Sequence, residues 1–232
     1  MRAAHIRREE SDLEQQREKL NVEKQRHIKA LKLVVFEDNS RFNHNPLFKE
    51  RYLLLQMIGR GGFSEVYKAF DLFNVRYVAC KIHQINSSWN DDRKKSYARK
   101  TIREYNIHRS LIHQRVVTLY DVFEIDESSF CTVLQFCDED DLDSVLKAQT
   151  TLPEKEVRCI VHQIMEGLLY LCMQKPSIIH YDLKPGNILF HNGEVRITDF
   201  GLSKLVEEGQ DSIELTSQGA GTYWYLPPEC FE

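Results

Sequence analysis

The pair Asn192-Gly193 constrains the fold of this chain more than any other two residues. Both residue types tolerate positive φ, which a two-residue type I′ hairpin demands. Ile188, Leu189 and Phe190 precede the pair and Val195, Ile197 and Thr198 follow it, so the pattern predicts a short antiparallel hairpin. A two-residue turn pairs His191 with Glu194, and counting back sets Asn187 opposite Thr198 and beside Asp199. Directly opposed residues lie roughly 5 Å apart, so an amide oxygen and a carboxylate distant in sequence converge at one end of the hairpin. Such ligands suit Mg²⁺, which takes one or two carboxylates and completes its shell with phosphate and water. An ordinary surface hairpin with polar ends would read the same way in isolation.

The residues just upstream, Ile179-His180-Tyr181-Asp182-Leu183-Lys184-Pro185-Gly186-Asn187, add an acid and a lysine at fixed spacing. Together with Asp199-Phe200-Gly201, these groups suit phosphoryl transfer. A second constellation is Ile58-Gly59-Arg60-Gly61-Gly62-Phe63-Ser64-Glu65-Val66. Glycines let a backbone approach phosphate oxygens and aim amides at them, although a lone glycine cluster is also just a hairpin turn. Here it lies between β-patterned runs, Tyr52 to Ile58 and Glu65 to Phe70, which gives strand, loop, strand rather than the strand-to-helix setting of a dinucleotide fold. No Gly-Lys-Ser/Thr follows, so it is not a Walker loop. Tyr77 to His83 reads as the next strand, carrying Ala79 and Lys81, and Asp91 to Leu111 as a charged helix with Ile107 and Leu111 on one face. Glu104 in that helix is the natural partner of Lys81. Helices are also expected from Leu142 to Ala148 and from Glu154 to Met173, the latter starting after Pro153.

In this order the motifs resemble the protein kinase signature set from about Tyr52 onward: glycine-rich loop, strand lysine, helix glutamate, catalytic loop, Asp-Phe-Gly and a Pro227-Pro228-Glu229 element. The resemblance implies an α+β bilobal fold, with an antiparallel sheet in the N-lobe (52–137), a mainly helical and incomplete C-lobe (138–232), and an N-terminal helical extension. It further implies ATP and Mg²⁺ as cofactors. Ile58 to Val66, with Gly59, Gly61 and Ser64 over the phosphates, would bind ATP together with Ala79, Lys81, Glu104, Gln135, Cys137 and Leu189. Leu134 would be the gatekeeper, and Gln135 to Cys137 the hinge facing adenine. Asp182 would take the substrate hydroxyl proton, Lys184 would offset charge at the γ-phosphate, and Asn187 and Asp199 would hold the metal. Lys184-Pro185-Gly186-Asn187 and Thr222 are similar to serine/threonine rather than tyrosine kinases.

Less usual residues narrow the resemblance. Gly61 to Asp71, His180-Tyr181-Asp182 and above all Leu215 to Phe231 look like the Tousled-like kinases, with Val78 to Lys81 and Phe123 to Asp126 nearer the plant branch. That resemblance implies a nuclear protein, oligomerisation through N-terminal coiled coils, and chromatin-assembly substrates such as Asf1-type histone chaperones. Ser64 stands where kinases carry a third glycine, a mild change. Tyr181 stands where they carry arginine, and a phenol cannot make the charge-assisted fork that orders a phosphorylated loop. Few residues follow Glu229, whereas a kinase C-lobe continues for roughly another hundred within the usual domain size. The expectation is therefore a truncated product. If it is catalytically inactive, it would serve as an interaction module associating through its N-terminal helix, or bind nucleotide without turnover.

Composition excludes several other classes. A net charge of −4 gives no footprint for nucleic acid. The six cysteines form no C-x-x-C and are scattered as reduced thiols would be. No apolar run reaches the ~18 residues of a membrane span. Residues 1–41 are rich in charge and free of Gly and Pro, with Ile6, Leu13 and Leu20 at intervals of seven. They read either as a solvated single helix or, in the family context, as the end of a longer coiled coil. Residues 42–51 read as a linker, and His83, His108, His113 and His162 lack metal-ligand spacing.

Overall fold

Every second side chain from Ser64 to Asp71 is buried, the mark of a strand with one face on a core. The computed structural model describes residues 2–44, 46–85, 88–149, 151–206 and 222–226. After helix α1 (Arg2–Asp38) the chain lays down β1 (Leu47–Phe48), β2 (Tyr52–Arg60), β3 (Ser64–Asp71) and β4 (Arg76–Gln84), then helix α2 (Asp91–Arg109), β5 (Leu119–Asp126) and β6 (Ser129–Gln135). These strands form one antiparallel sheet in the order β1-β2-β3-β4-β6-β5. Two register shifts bulge β2 near Gln56 and Gly59, and each bulge resets which side chains face inward. Tyr52, Met57, Tyr67, Val78, Ile82 and Val133 fill the core beneath the sheet, and Tyr52 stacks on Phe123 with ring centroids 5.6 Å apart.

The segment read as a linker contributes to that core. Phe42 and Phe48 are both buried and pack edge to face at 5.8 Å, and β1 pairs with β2. Two isolated aromatics in a polar stretch give no periodic signal, yet each brings a large apolar area to bury.

The second half contains the expected helices and hairpin together with two short strands that the sequence pattern did not single out: α3 (Leu142–Ala148), α4 (Glu154–Cys172), β7 (Ser177–Ile179), β8 (Ile188–His191), β9 (Glu194–Ile197) and β10 (Lys204–Val206). Asp141 caps α3 by accepting the Ser144 amide at 2.9 Å, and Pro153 precedes α4. The hairpin has the predicted register, with His191 opposite Glu194 and Ile188 opposite Ile197. Asn192 and Gly193 sit at φ 52° and 72°, as the type I′ turn requires. Thr198 N–H donates to the Asn187 carbonyl at 3.0 Å, so the two positions do face each other. Helix α4 supports the hairpin closely at Gly167, where a Cβ would stand 2.6 Å from Ile197 Cδ1.

A second core of Ile160, Leu171, Ile178, Ile188, Val195 and Ile197 also takes in Ile107 and Leu111 from α2 and its end, so α2 ties the halves together. Among the described residues no helix is long and apolar enough to cross a membrane. Ile6, Leu13 and Leu20 on α1 are exposed. Glu229 and the stretch from Leu215 to Gly221 lie outside the described residues.

Candidate active site

A cleft of about 720 Å³ opens between the sheet and the second half of the chain. Its roof is the turn from β2 to β3, closed by the Gly61 amide donating to the Ser64 carbonyl at 2.7 Å. Its walls include Val66, Ala79, Leu134 and Leu189, flat apolar surface of the kind that flanks an aromatic base. Ile58, Gly59, Arg60, Gly61, Ser64, Lys81, Glu104, Gln135, Cys137, Asn187 and Asp199 line it as well. Gly62, Phe63 and Glu65 do not; they border a neighbouring cavity. Strand alternation turns the Glu65 carboxylate away, where it accepts from Ser40 Oγ at 2.7 Å and from the Tyr67 hydroxyl. Phe63 packs edge-on against Trp89, 4.7 Å away, at the start of α2. The Gln135 amide is already engaged by the Thr118 carbonyl at 2.8 Å, so a backbone donor to a nucleobase must come from Phe136 or Cys137. Burial pushes the Cys137 thiol up to about 11, which keeps it protonated.

On the cleft floor, Lys81 Nζ lies 3.3 Å from Asp199 Oδ1 and 3.5 Å from Glu104 Oε1. Burial opposes charge on Lys81, but the two carboxylates outweigh it and raise the lysine's pKa above the ordinary value. Burial also raises Glu104, whereas Asp199 is held below the usual carboxylate range because Lys81 overcomes its desolvation. Lys81 is thus an ammonium and Asp199 an anion. Gly201 lies close beside this group: a Cβ there would stand 3.3 Å from Glu104 Oε2, which would have to give slightly, and 3.5 Å from Asp199 Oδ1, an ordinary contact.

Asp182 and Lys184 stand beside the cleft lining. Lys184 Nζ donates to Asp182 Oδ2 at 2.8 Å and to Thr222 Oγ1 at 2.8 Å. Thr222 returns both its amide and its hydroxyl to Asp182 Oδ1 at 3.0 Å, a contact no local pattern reveals because forty positions separate the residues. Asn187 donates its amide nitrogen to the Asp182 carbonyl at 2.8 Å and to Oδ2 at 3.2 Å. That engagement leaves the Asn187 amide oxygen as the atom a cation would take. Asp199 and Asn187 therefore fit Mg²⁺ carried in with phosphate. Among the described residues no three His, Cys, Asp or Glu side chains gather into a metal cage of their own.

His180 joins the two acidic stretches. Its Nε2 lies 2.9 Å from the Thr198 carbonyl and its Nδ1 accepts the Asp182 amide at 3.4 Å, which assigns the neutral Nε2–H tautomer. Burial lowers its pKa in keeping with that form. Phe200, 1% exposed, fits between the His108 and His180 rings at 4.7 and 5.1 Å. Tyr181 and Asp199 both adopt φ 68°, a left-handed conformation that costs a non-glycine residue about 1–2 kcal/mol and gathers at functional sites. The Tyr181 ring lies under Lys204 Nζ at 4.6 Å.

Comparison with known proteins gives a match to the protein kinase domain model over residues 52–232. The chain is 55% identical over 234 residues to the serine/threonine-protein kinase TOUSLED of Arabidopsis thaliana, covering all of this chain and 34% of that protein. It is 54% identical over 238 residues to the human serine/threonine-protein kinase tousled-like 1, covering 31% of it. The Caenorhabditis elegans tousled-like 1 is 50% identical over 239 residues, of which the chain covers 25%. The chain thus spans about a quarter to a third of the length of the curated relatives it matches.

Proposed function

The chain belongs to the protein kinase domain family, and from that premise we propose that it transfers the γ-phosphoryl group of ATP to serine and threonine hydroxyls of proteins. The observation that carries the reading is the convergence of Lys81, Glu104 and Asp199 on the cleft floor, with Asn187 and Asp182 alongside. Phosphoryl transfer asks a protein chiefly to position charge, and this group of residues can do that.

In this reading the turn from β2 to β3 covers the phosphates, and Lys81, oriented by Glu104, holds the α- and β-phosphate oxygens. Asp199 and Asn187 would hold Mg²⁺, which would supply positive charge to offset that of the bound phosphates. Asp182, with Oδ2 held by Lys184 and Oδ1 by Thr222, orients the incoming hydroxyl and accepts its proton. Lys184 then offsets charge growing on the transferred group. Thr222 bridges Asp182 and Lys184 beside the place where a substrate hydroxyl must enter, which supports Ser/Thr specificity.

A nuclear site of action and histone-chaperone substrates of the Asf1 type are supported by the resemblance to Tousled-like kinases. The test is a radiolabelled phosphate-transfer assay on generic Ser/Thr substrates and on such a chaperone, comparing the wild-type chain with Lys81→Met and Asp182→Asn. Transfer is expected to fall by about 10²–10⁴-fold in each variant. Unchanged transfer in either would refute the assignment.

A further inference from the structure

Helix α1 runs across the mouth of the cleft and touches both halves of the fold. At its C-terminal end Glu37 Oε2 accepts the Met57 amide at 3.2 Å, beside one bulge of β2. Phe36 lies under the Arg60 guanidinium at 4.3 Å, and Leu33 packs on the core of the sheet. Farther back, Arg26 Nη2 bonds Asp140 Oδ2 at 2.9 Å, just beyond the hinge. From Arg26 to Glu37 a helix advances about 16 Å, so the same rigid segment grips the glycine-rich strands and the start of the second half. Between these grips, Lys29 lines the cleft that holds Lys81 and Asp199.

Charge gives this placement a role. The cleft mouth carries Asp138-Glu139-Asp140-Asp141. These acids are occupied structurally: Asp138 by His191, Glu139 by the Gly193 amide, Asp140 by Arg26 and Asp141 by the α3 cap. Their field nevertheless opposes a polyanion such as a nucleoside triphosphate. Lys29 and Arg60 are the cations on the cleft wall at the α1 side.

We propose that α1 is part of the nucleotide site: the Arg26–Asp140 pair and the Glu37 and Phe36 contacts hold the mouth closed, and Lys29 supplies the positive charge that retains the nucleotide. The proposal rests on the ATP-binding reading above. It is tested on the full chain by the dissociation constant and release rate of a fluorescent ADP analogue with Mg²⁺, together with KM for ATP and kcat. Lys29→Glu is expected to weaken nucleotide binding on the order of three- to tenfold, with KM for ATP rising more than kcat falls and the effect shrinking at high salt. Arg26→Glu is expected to speed release about two- to fivefold, equivalent to ~0.4–1 kcal/mol for an exposed pair. The charge-swapped pair Arg26→Glu with Asp140→Arg should restore the wild-type rate. Arg26 and Lys29 are exposed, so their substitution leaves the cores intact. Unchanged or tighter binding in Lys29→Glu, or no recovery in the swap, overturns the proposal while the ATP reading stands. A wild-type chain that binds no nucleotide overturns both.

Discussion

His108 shows what burial does to a titratable side chain. Desolvation lowers its pKa to about 4, and its Nε2 bonds the Val117 carbonyl. Lys81, Asp199 and His180 are the other charged or titratable groups acting on it. Unfolded, the ring would titrate near 6.5. Above that pH neither state binds the proton and the contribution is flat. Between about 6.5 and 4 the unfolded chain takes up a proton that the folded chain refuses, so stability falls as pH falls, by up to ~1.4 kcal/mol per unit. His83, lowered by burial to about 3, acts in the same direction. Denaturant midpoints measured from pH 7 to pH 5 should therefore decline. His108→Leu should flatten that decline while costing roughly 1–3 kcal/mol at pH 7, because the Val117 carbonyl loses its partner. Tyr181 supports a second expectation at this scale. Its ring meets Lys204 and offers no guanidinium fork for a phosphate. Phosphatase treatment should leave most of the turnover intact; complete loss, recovered through one activation-loop phosphosite that contacts Tyr181, would disprove the idea.

Among the elements, the hairpin β8-β9 was the most legible, because a two-residue turn fixes the count on both sides. Gly193 at φ 72° has nothing within 4 Å of an added Cβ, so substitution there tests backbone conformation alone. Gly193→Val should lower stability by about 1–2 kcal/mol and Gly193→Asn by less, read as shifts in the thermal midpoint. Helices α3 and α4 begin at the expected Leu142 and Glu154, α4 ending at Cys172 rather than Met173, and α2 begins at the expected Asp91 but stops at Arg109, short of Leu111. Glu104 was legible as the partner of Lys81 from the order of motifs. Three other features were not legible. Thr222 reaches Asp182 only through tertiary folding, and Phe42 and Phe48 sit in a stretch whose polar residues and Pro46 mask them. Lys29 gave no signal either, because a mostly charged helix carries no pattern that says which surface it will lie on.

Across the whole molecule, two cores meet at a cleft whose floor belongs to both, with α2 contributing Glu104 to the floor and Ile107 to the lower core. The 37-residue α1 is the exception to this economy of contact. At 1.5 Å per residue it is about 55 Å long, yet the contacts that anchor it run from Arg26 to Glu37. Mechanically it is a lever with a short arm seated on the cleft and a long arm in solvent. A twist or pull at Ile6 or Leu13 would reach Arg26 and Phe36 as torque, arriving at the two points where α1 grips the hinge side and the glycine-rich strands.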